Sequence, residues 1–259
     1  MAADIYKHPE GYALRAGVCH VMEAAHRMTV TLALYTLNEI DGLRVVMPRI
    51  RREWCDEIIL IDGGSTDGTV EYARESGIPV YRQKEPRWGG AHREAYHRAT
   101  GDIIIDFSPD GNSVPELIPV LIEKMREGYD MVVASRYTGG ARSEDDTPVT
   151  GFGNHLFTGL VNFFFRAHFT DSLVIYRALR KSFLERAGLV DVTLPQCVTV
   201  LTCIRAAKLG ARTLDIPGDE PKRIGGKPKM NPLIDGLRVL SVILREFFGL
   251  EVTRTAVPL

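Results

Sequence analysis

The stretch Gly101–Glu116, GDIIIDFSPDGNSVPE, decides the fold class of this chain. Its β-branched run Ile103–Ile105 is typical of a buried strand, and Pro115 is typical of the first turn of a helix. Carboxylate, hydroxyl and amide side chains lie between the two, where α/β proteins hold hard cations at the carboxyl edge of a sheet. Asp, Asn and Gly are also ordinary turn residues. This stretch alone therefore leaves a metal site and a plain strand–turn–helix connection equally open.

Strands and helices alternate around this stretch. The sequence predicts further strands at Thr29–Tyr35, Glu57–Asp62, Ile78–Arg82 and Asp130–Ser135. Helical patterns separate them, and this alternation predicts an α/β fold with a doubly wound, mostly parallel sheet and helices on both faces. Beyond Tyr137 the pattern is less regular. The elements predicted there are helices at Phe152–Phe165, 195–208 and Leu233–Phe248, a strand-like run at Asp171–Ala178 and a strand at Arg212–Ile216.

Composition and charge exclude several classes of protein. The 259 residues carry a formal net charge of −1, which argues against a nucleic-acid binder that relies on bulk charge. The four cysteines include no Cys-x-x-Cys pair, so we expect reduced thiols rather than a disulfide or zinc framework. Neither a signal peptide nor an uncharged apolar run of membrane-spanning length is visible. We therefore expect a cytoplasmic protein.

A glycine-rich loop, Asp62-Gly-Gly-Ser-Thr-Asp-Gly-Thr69, follows the second predicted strand. Glycines let a ligand approach the backbone closely, and the N-terminus of the next helix favours an anion. The alternative is a tight turn capped by Ser65 or Asp67. The loop is neither the dinucleotide fingerprint nor a P-loop, because no Gly-Lys-Ser/Thr ends it. Two acids bracketing Gly-Gly-Ser-Thr nevertheless favour nucleotide binding, with Asp62 accepting hydrogen bonds from the base or ribose.

Six short segments, taken in order, resemble a known family. They are Tyr35-Thr-Leu-Asn-Glu39, the Asp62–Thr69 loop, Gly101–Glu116, Ser135-Arg-Tyr137, Asp171–Arg177 and Arg223-Ile-Gly-Gly-Lys-Pro-Lys229. In residue type, order and spacing they resemble family 2 glycosyltransferases of the GT-A fold, close to the dolichol-phosphate mannose synthase branch. The resemblance covers about residues 29–245. It implies an enzyme that transfers a sugar from a UDP or GDP sugar to an acceptor, with inversion.

The resemblance also implies how the chain is divided. We expect an N-terminal extension at 1–28 and a nucleotide-sugar-binding half at 29–137. An acceptor-binding half with a basic lid loop would follow at 138–232, and an amphipathic helix and tail would close the chain at 233–259.

The same resemblance implies a nucleotide site and a metal site. The implied nucleotide-binding residues are Thr36, Asn38, Glu39, Asp62, Gly89, Gly90, Arg93, Ser108 and Lys229. Asp110 would be the retained carboxylate of the family's Asp-x-Asp motif, and Asn112 a second ligand for Mg²⁺ or Mn²⁺. Ser108 replaces the first carboxylate, which weakens metal affinity or passes the duty to Asp106 or to donor phosphate oxygens. Tyr35 stands where the family commonly has proline.

The reaction requires cations and, for some acceptors, a base. A leaving nucleotide diphosphate gains charge in the transition state, and a metal ion with fixed cations stabilises that charge. Arg136 and Arg223 are the predicted catalytic cations, because arginine can contact phosphate in a bidentate way. The candidate general bases are Asp171, Asp145 and Asp146. The alternative for the basic lid loop is a solvated charged turn.

Two apolar stripes bear on the partners of the protein. One is Phe163-Phe164-Phe165, and the other runs along the closing helix from Leu233 to Phe248 at helical spacing. Most such stripes are core or homodimer contacts. If the acceptor is a polyprenyl phosphate rather than a glycan, they would instead contact a membrane surface, and no base would be needed because that phosphate is already anionic.

Two other functions compete with glycosyl transfer. A sugar-phosphate nucleotidyltransferase would begin with a glycine-rich first loop followed by Arg and Lys. Here the first strand leads into Thr36-Leu-Asn-Glu39, which contains no glycine. A non-catalytic nucleotide-sugar-binding protein stays open because of Ser108.

Overall fold

The computed structural model describes residues 27–192, 197–225 and 231–250. The strands are β1 (Val30–Thr36), β2 (Glu57–Asp62), β3 (Val80–Arg82), β4 (Ile103–Phe107), β5 (Met131–Ser135), β6 (Arg177–Arg180) and β7 (Thr213–Pro217). The helices are α1 (Ile40–Val46), α2 (Thr69–Glu75), α3 (Arg87–Arg98), α4 (Ile118–Arg126), α5 (Pro148–Phe165), α6 (Lys181–Arg186), α7 (Val198–Lys208) and α8 (Pro232–Phe247).

The described strands form one sheet in the order β3–β2–β1–β4–β6–β5–β7. Strand β6 is antiparallel to β4 and β5, and every other pairing is parallel. The prediction of a mostly parallel, doubly wound α/β sheet is therefore confirmed. The sheet also joins the two predicted halves of the chain, since β6 and β7 pair with β4 and β5.

The central strands bring three loops to one edge of the sheet. Both β1 and β4 are buried along their whole length, as their apolar, β-branched composition predicts. Thr36 at the end of β1 pairs with Asp62 at the end of β2, and Leu34 pairs with Phe107 at the end of β4. The loops after β1, β2 and β4 consequently leave the sheet side by side, at the edge where open α/β sheets bind ligands.

Proline accounts for two differences between predicted and observed boundaries. The first helix, predicted to reach about Arg52, ends at Val46, and short 3-10 turns follow at Met47–Arg49 and Arg52–Trp54. Pro48 lacks the N–H that a continuing helix needs. The third strand begins at Val80 rather than Ile78, and Pro79 contributes only its carbonyl oxygen, to the Leu60 N–H.

The strand-like run Asp171–Ala178 becomes a strand at Arg177, and the Tyr176 carbonyl oxygen just before it accepts the Ala134 N–H of β5 at 3.0 Å. Before that point the Asp171 carboxylate accepts the backbone N–H groups of Leu173 and Val174. These local bonds satisfy the backbone in place of a strand ladder.

Within the described residues, no helix is long and apolar enough to cross a membrane.

Candidate active site

Asp110 lies in the turn after β4 and is almost completely buried. Two glycines make this position possible. A side chain at Gly42 would come within 2.4 Å of the Pro109 carbonyl oxygen, so α1 can approach the turn only through glycine. Gly111 has φ of +92°, a conformation that L-residues rarely adopt, and it packs against Ile224.

Arg223 brings three carboxylates together above this turn. Its Nη2 lies 3.0 Å from Asp110 Oδ2, its Nη1 3.9 Å from Glu39 Oε1, and its Nε 3.9 Å from Asp145 Oδ2. The Ile224 N–H also donates to the Asp110 carbonyl oxygen at 2.7 Å. Four residues predicted for the site from distant parts of the sequence therefore lie at one place. Burial raises the pKa of Asp110, and the nearby Arg223 charge opposes that rise.

The residues around Asp110 fit a divalent cation that keeps few protein ligands. The described ranges contain no group of three or more His, Cys, Asp or Glu side chains able to hold a metal ion. Ser108 donates a hydrogen bond to the Asp110 carboxylate, and the Asn112 N–H lies 3.3 Å from Asp110 Oδ1. One carboxylate with neighbouring hydroxyl and amide oxygens suits Mg²⁺ or Mn²⁺ when substrate phosphates and waters complete the coordination. The Arg223 contact shows that this carboxylate already attracts a cation.

Asp106 cannot take over the role of the missing carboxylate, and that expectation is wrong. Its side chain is fully buried, accepting a hydrogen bond from Tyr35 Oη at 2.6 Å and one from Tyr96 Oη at 3.1 Å. His92 lies 3.5 Å from it on the same side. Tyr35, found where the resemblance leads one to expect proline, is thus one of the groups that hold Asp106 inside the protein.

The glycine-rich loop after β2 is organised by its own acids. Asp62 accepts the N–H groups of Gly64 at 2.8 Å and Ser65 at 3.0 Å, and it contacts Arg82 Nη1 at 3.2 Å. Asp67 accepts the Thr69 N–H at 3.0 Å. These hydrogen bonds lie within the loop itself, as expected for a tight turn. Nucleotide binding by the same loop stays a prediction.

The loop after β1 is tied to the glycine-rich loop. Asn38, at φ of +56°, accepts the Thr66 N–H through Oδ1 at 2.8 Å, and its own N–H donates to Ser65 Oγ. Thr36 is buried at the end of β1, with its hydroxyl 3.4 Å from the Ile61 carbonyl oxygen. These two loops form one continuous rim beside Asp110.

The first turn of α3 contains Gly89 and Gly90, which are both buried. A side chain at Gly90 would come within 1.9 Å of the Glu85 carbonyl oxygen, so only glycine fits there. Arg93 pairs with Glu85 at 2.9 Å and lies 3.5 Å from Asp191. Its guanidinium is therefore held by two acids rather than left open.

Arg136 and Asp171 form a buried bidentate ion pair. Arg136 Nε lies 2.7 Å from Asp171 Oδ2 and Nη2 lies 3.0 Å from Oδ1. Burial disfavours the charge on Arg136, but Asp171 and Glu220 outweigh it and raise the pKa. With both its oxygens engaged, Asp171 is suited to holding Arg136 and poorly suited to accepting a proton from an acceptor.

Of the remaining acids, Asp145 is the one placed to meet a substrate. Asp146 accepts hydrogen bonds from Tyr137 Oη and from Asn154 Nδ2, which fix it to the start of α5. Asp145 is about one-third exposed and faces Arg223. Lys229 and Lys227, predicted for the same site, lie outside the described residues.

One site residue was missed from the sequence. Glu220 accepts a hydrogen bond from Arg136 Nη1 at 3.3 Å and another from Ser143 Oγ. In the sequence it is one of several charges in the segment 219–229, and no pattern distinguishes it from a solvated surface acid.

Helices α5 and α8 lie side by side and expose an apolar face. The side chains of this face are Val149, Phe152, Leu156 and Phe163 of α5, with Leu233, Ile234, Leu237, Leu244 and Phe247 of α8 and Phe248 just beyond it. Phe152, Phe163 and Leu233 are 70%, 78% and 79% exposed. Helix α5 contains no Asp, Glu, Lys or Arg, and the two acids of α8, Asp235 and Glu246, are buried.

Comparison with known proteins identifies the family of this chain. Residues 34–188 match the model of glycosyl transferase family 2. The chain is similar to glycosyltransferase AglJ of Haloferax volcanii, with 30% identity over 204 residues covering 78% of this chain and 66% of that protein. It is also similar to an undecaprenyl-phosphate mannosyltransferase of Micrococcus luteus, with 26% identity over 229 residues covering 83% of this chain and 93% of that protein.

A solved structure shows that the fold is shared as well. Glucosyl-3-phosphoglycerate synthase from Mycobacterium tuberculosis, crystallised with Mn²⁺ and UDP-glucose, superimposes with a TM-score of 0.62 at 21% identity. The superposition covers 86% of this chain and 79% of the other. The family match spans more than half of the residues and includes Glu39, Asp62, Asp110 and Asp145. The chain therefore belongs to glycosyl transferase family 2.

Proposed function

We propose that this protein transfers a sugar from a UDP or GDP sugar to a polyprenyl phosphate, with inversion and with the help of Mg²⁺ or Mn²⁺. The observation that carries the proposal is the meeting of Asp110, Glu39, Asp145 and Arg223 at the carboxyl edge of the sheet. A buried carboxylate, a guanidinium and a partly exposed acid are groups suited to binding and cleaving a sugar diphosphate.

The nucleotide would bind along the rim formed by the loops after β1 and β2. Thr36, Asn38 and Asp62 support that rim, and the half-buried Gly63 and Gly64 are part of it. The diphosphate would extend from there towards Asp110 and Ser108, beside the glycines that open α3. Backbone N–H groups and glycines suit this role because they allow close approach of an anion.

Leaving-group charge would be stabilised at Asp110 and Arg223. A divalent ion held by Asp110 and Asn112, when bound, would neutralise diphosphate oxygens as the glycosidic bond breaks. Arg223 would contribute a planar guanidinium that can contact two phosphate oxygens at once. Arg223 Nη2 lies 3.0 Å from Asp110 Oδ2, so the guanidinium would be close to a phosphate bound beside that carboxylate.

The acceptor would approach from the side of α5 and α8. Helix α5 begins just after Asp145 and Asp146, and α8 begins just after the basic loop. An apolar face that starts at the reaction centre suits a polyprenyl chain in a lipid surface, and the relative from Micrococcus luteus is named for an undecaprenyl phosphate. An acceptor phosphate is already ionised, so Asp145 would orient it through Arg223 rather than remove a proton.

Transfer can be measured with UDP and GDP sugars, polyprenyl phosphate in detergent, and Mg²⁺ or Mn²⁺. We expect glycolipid product that requires the metal, and Asp110→Ala should reduce turnover by at least about a hundredfold. Glu127→Gln, a surface change on the far side of α4, should leave turnover unchanged. Full activity of Asp110→Ala, or of the wild type in excess chelator, would remove the metal from the mechanism.

The same assay separates the competing functions. A sugar-phosphate nucleotidyltransferase, given pyrophosphate and no lipid acceptor, would convert the nucleotide sugar to nucleoside triphosphate and sugar 1-phosphate. A non-catalytic protein would bind nucleotide but leave the sugar attached. Formation of free nucleoside diphosphate together with the glycolipid is expected from the proposed transferase alone.

A further inference from the structure

Two loops meet at the candidate active site and are bonded to each other. The acidic loop, residues 138–147, carries Asp145, and the basic loop, residues 218–225, carries Arg223. Ser143 and Glu220 form an isolated parallel β-bridge between them. The Glu144 N–H donates to the Glu220 carbonyl oxygen at 2.8 Å, and the Glu220 N–H donates to the Arg142 carbonyl oxygen at 2.9 Å.

The Glu220 side chain connects this bridge to the rigid sheet. It accepts a hydrogen bond from Ser143 Oγ in the acidic loop and another from Arg136 Nη1 at the end of β5. Arg136 is itself fixed by the fully buried Asp171. This carboxylate, which belongs to the basic loop, therefore contacts both the acidic loop and the anchored arginine.

We propose that Glu220 is a positioning residue that locks the acidic and basic loops into one unit, so that Asp145 and Arg223 reach the donor together. This inference rests on the proposed transferase function. Glu220 lies three residues before Arg223, and the bridge lies one to two residues before Asp145. Loss of the Glu220 side-chain contacts would let each loop move independently of the other. The distance of 3.9 Å between Arg223 Nε and Asp145 Oδ2 would then no longer be maintained.

Glu220 is well suited to this role because its position is protected. Burial raises its pKa, and the Arg136 charge and the Ser143 hydroxyl oppose that rise. The Glu220 side chain is 16% exposed, and a largely buried carboxylate with two donors holds its partners more firmly than an exposed one, since water competes less. Neighbouring Asp219, by contrast, is exposed and accepts the Arg142 N–H.

Hydrogen exchange of the ligand-free protein tests the lock directly. In Glu220→Ala we expect exchange to rise by about tenfold in both loops at once, with Ile103–Phe107 of β4 unchanged. Glu220→Gln keeps an acceptor oxygen and should stay within about threefold of the wild type. Asp219→Asn is the matched control and should behave like the wild type. Faster exchange in one loop only, or in neither, would overturn the proposal.

Kinetics supply a readout that a purely structural role would not produce. Glu220→Ala should lower kcat by about tenfold or more, while the Kd for UDP or GDP with Mn²⁺ stays unchanged. Ser143→Ala should show a smaller fall in kcat with the same unchanged Kd. This variant replaces Glu220→Ala in the test if Glu220→Ala does not fold. A Kd that rises in parallel with the fall in kcat would overturn the positioning role. If the wild type neither transfers sugar nor binds these nucleotides, the proposed function fails. The hydrogen-exchange comparison then decides by itself whether Glu220 holds the two loops together.

Discussion

Arg223 Nη2 lies 3.0 Å from Asp110 Oδ2, so the basic loop contacts the carboxylate that is expected to hold the metal. A guanidinium and a divalent cation cannot share the same carboxylate oxygen at close range. Binding of a metal–diphosphate complex at Asp110 should therefore displace Arg223 towards the phosphates. The loss of the ion pair would be offset by new contacts between Arg223 and the diphosphate, which couples donor binding to the position of the basic loop.

Arg223 should act mainly in the chemical step. We expect Arg223→Lys to lower kcat by about a hundredfold with a much smaller change in donor KM, because contacts that strengthen as leaving-group charge develops affect kcat. A lysine supplies the charge but not the planar, bidentate contact. Steady-state kinetics with the donor varied give both constants, and Arg126→Lys on the surface of α4 is the control. If the lysine variant keeps wild-type kcat, a point charge is enough and bidentate contact is not needed.

Asp145 distinguishes between two classes of acceptor. With a polyprenyl phosphate, no proton has to be removed, and we expect Asp145→Asn to reduce kcat by less than about tenfold. With a hydroxyl acceptor, loss of a general base would cost about a hundredfold to ten-thousandfold. Comparing the variant with the wild type on a polyprenyl phosphate and on a soluble glycan therefore tests the acceptor assignment. A large loss on the lipid acceptor would make Asp145 a base and contradict the proposed reaction.

The apolar face of α5 and α8 should bind a lipid surface. If Phe152 and Leu237 are buried in the lipid, replacing either side chain should weaken the free energy of membrane binding by about 1.5–3 kcal/mol. We expect Phe152→Ser and Leu237→Ser each to weaken co-sedimentation with lipid vesicles by about tenfold or more, without loss of folding. Val45→Ser on α1, another exposed apolar position, is the control. If the face variants instead abolish a dimer seen by analytical ultracentrifugation and leave vesicle binding intact, the face is a homodimer contact.

The sequence predicted the sheet because its central strands are mostly apolar and end in polar loops. Through a family resemblance it also nominated Asp110, Glu39, Asp145 and Arg223, which the fold brings together and whose roles stay predictions. It could not reveal which charges would be paired. Asp171 and Asp145 look alike as sequence, yet one is fully buried beneath Arg136 and the other is open. Such differences depend on tertiary packing between residues far apart in the chain, which local patterns do not contain.

The fate of Asp106 illustrates the same point. A carboxylate in a loop motif looks like a metal ligand, but the packing of Tyr35 and Tyr96 against it decides otherwise. Tyr35 comes from β1 and Tyr96 from α3, 71 and 10 residues before Asp106 in the sequence. Only the pairing of β1 with β4 and the docking of α3 bring their hydroxyl groups to the same carboxylate.

Asp106 should make stability depend on pH in a defined way. Burial raises its pKa from 3.8 to about 7, against the opposing effects of Tyr35, Arg177 and Tyr96. His92 faces it too, but burial lowers the pKa of that imidazole to about 3, so His92 stays neutral above pH 5. The folded protein therefore keeps a proton on Asp106 that the unfolded chain has already lost. This contribution to stability is complete below pH 3.8 and is lost as pH rises through about 7.

Urea unfolding of the wild type and Asp106→Asn between pH 5 and 8.5 measures this contribution. The asparagine cannot titrate, so the free energy of unfolding of the wild type should fall relative to the variant by about 1.4 kcal/mol per pH unit up to pH 7. Above that pH the difference should become constant. Asp67→Asn is the control, because hydrogen bonds from Thr69 and the backbone outweigh burial and lower the pKa of Asp67, which leaves no slope above pH 5. A difference between the wild type and Asp106→Asn that does not change with pH would mean that Asp106 is ionised throughout, with Arg177 and the two tyrosines compensating fully for its burial.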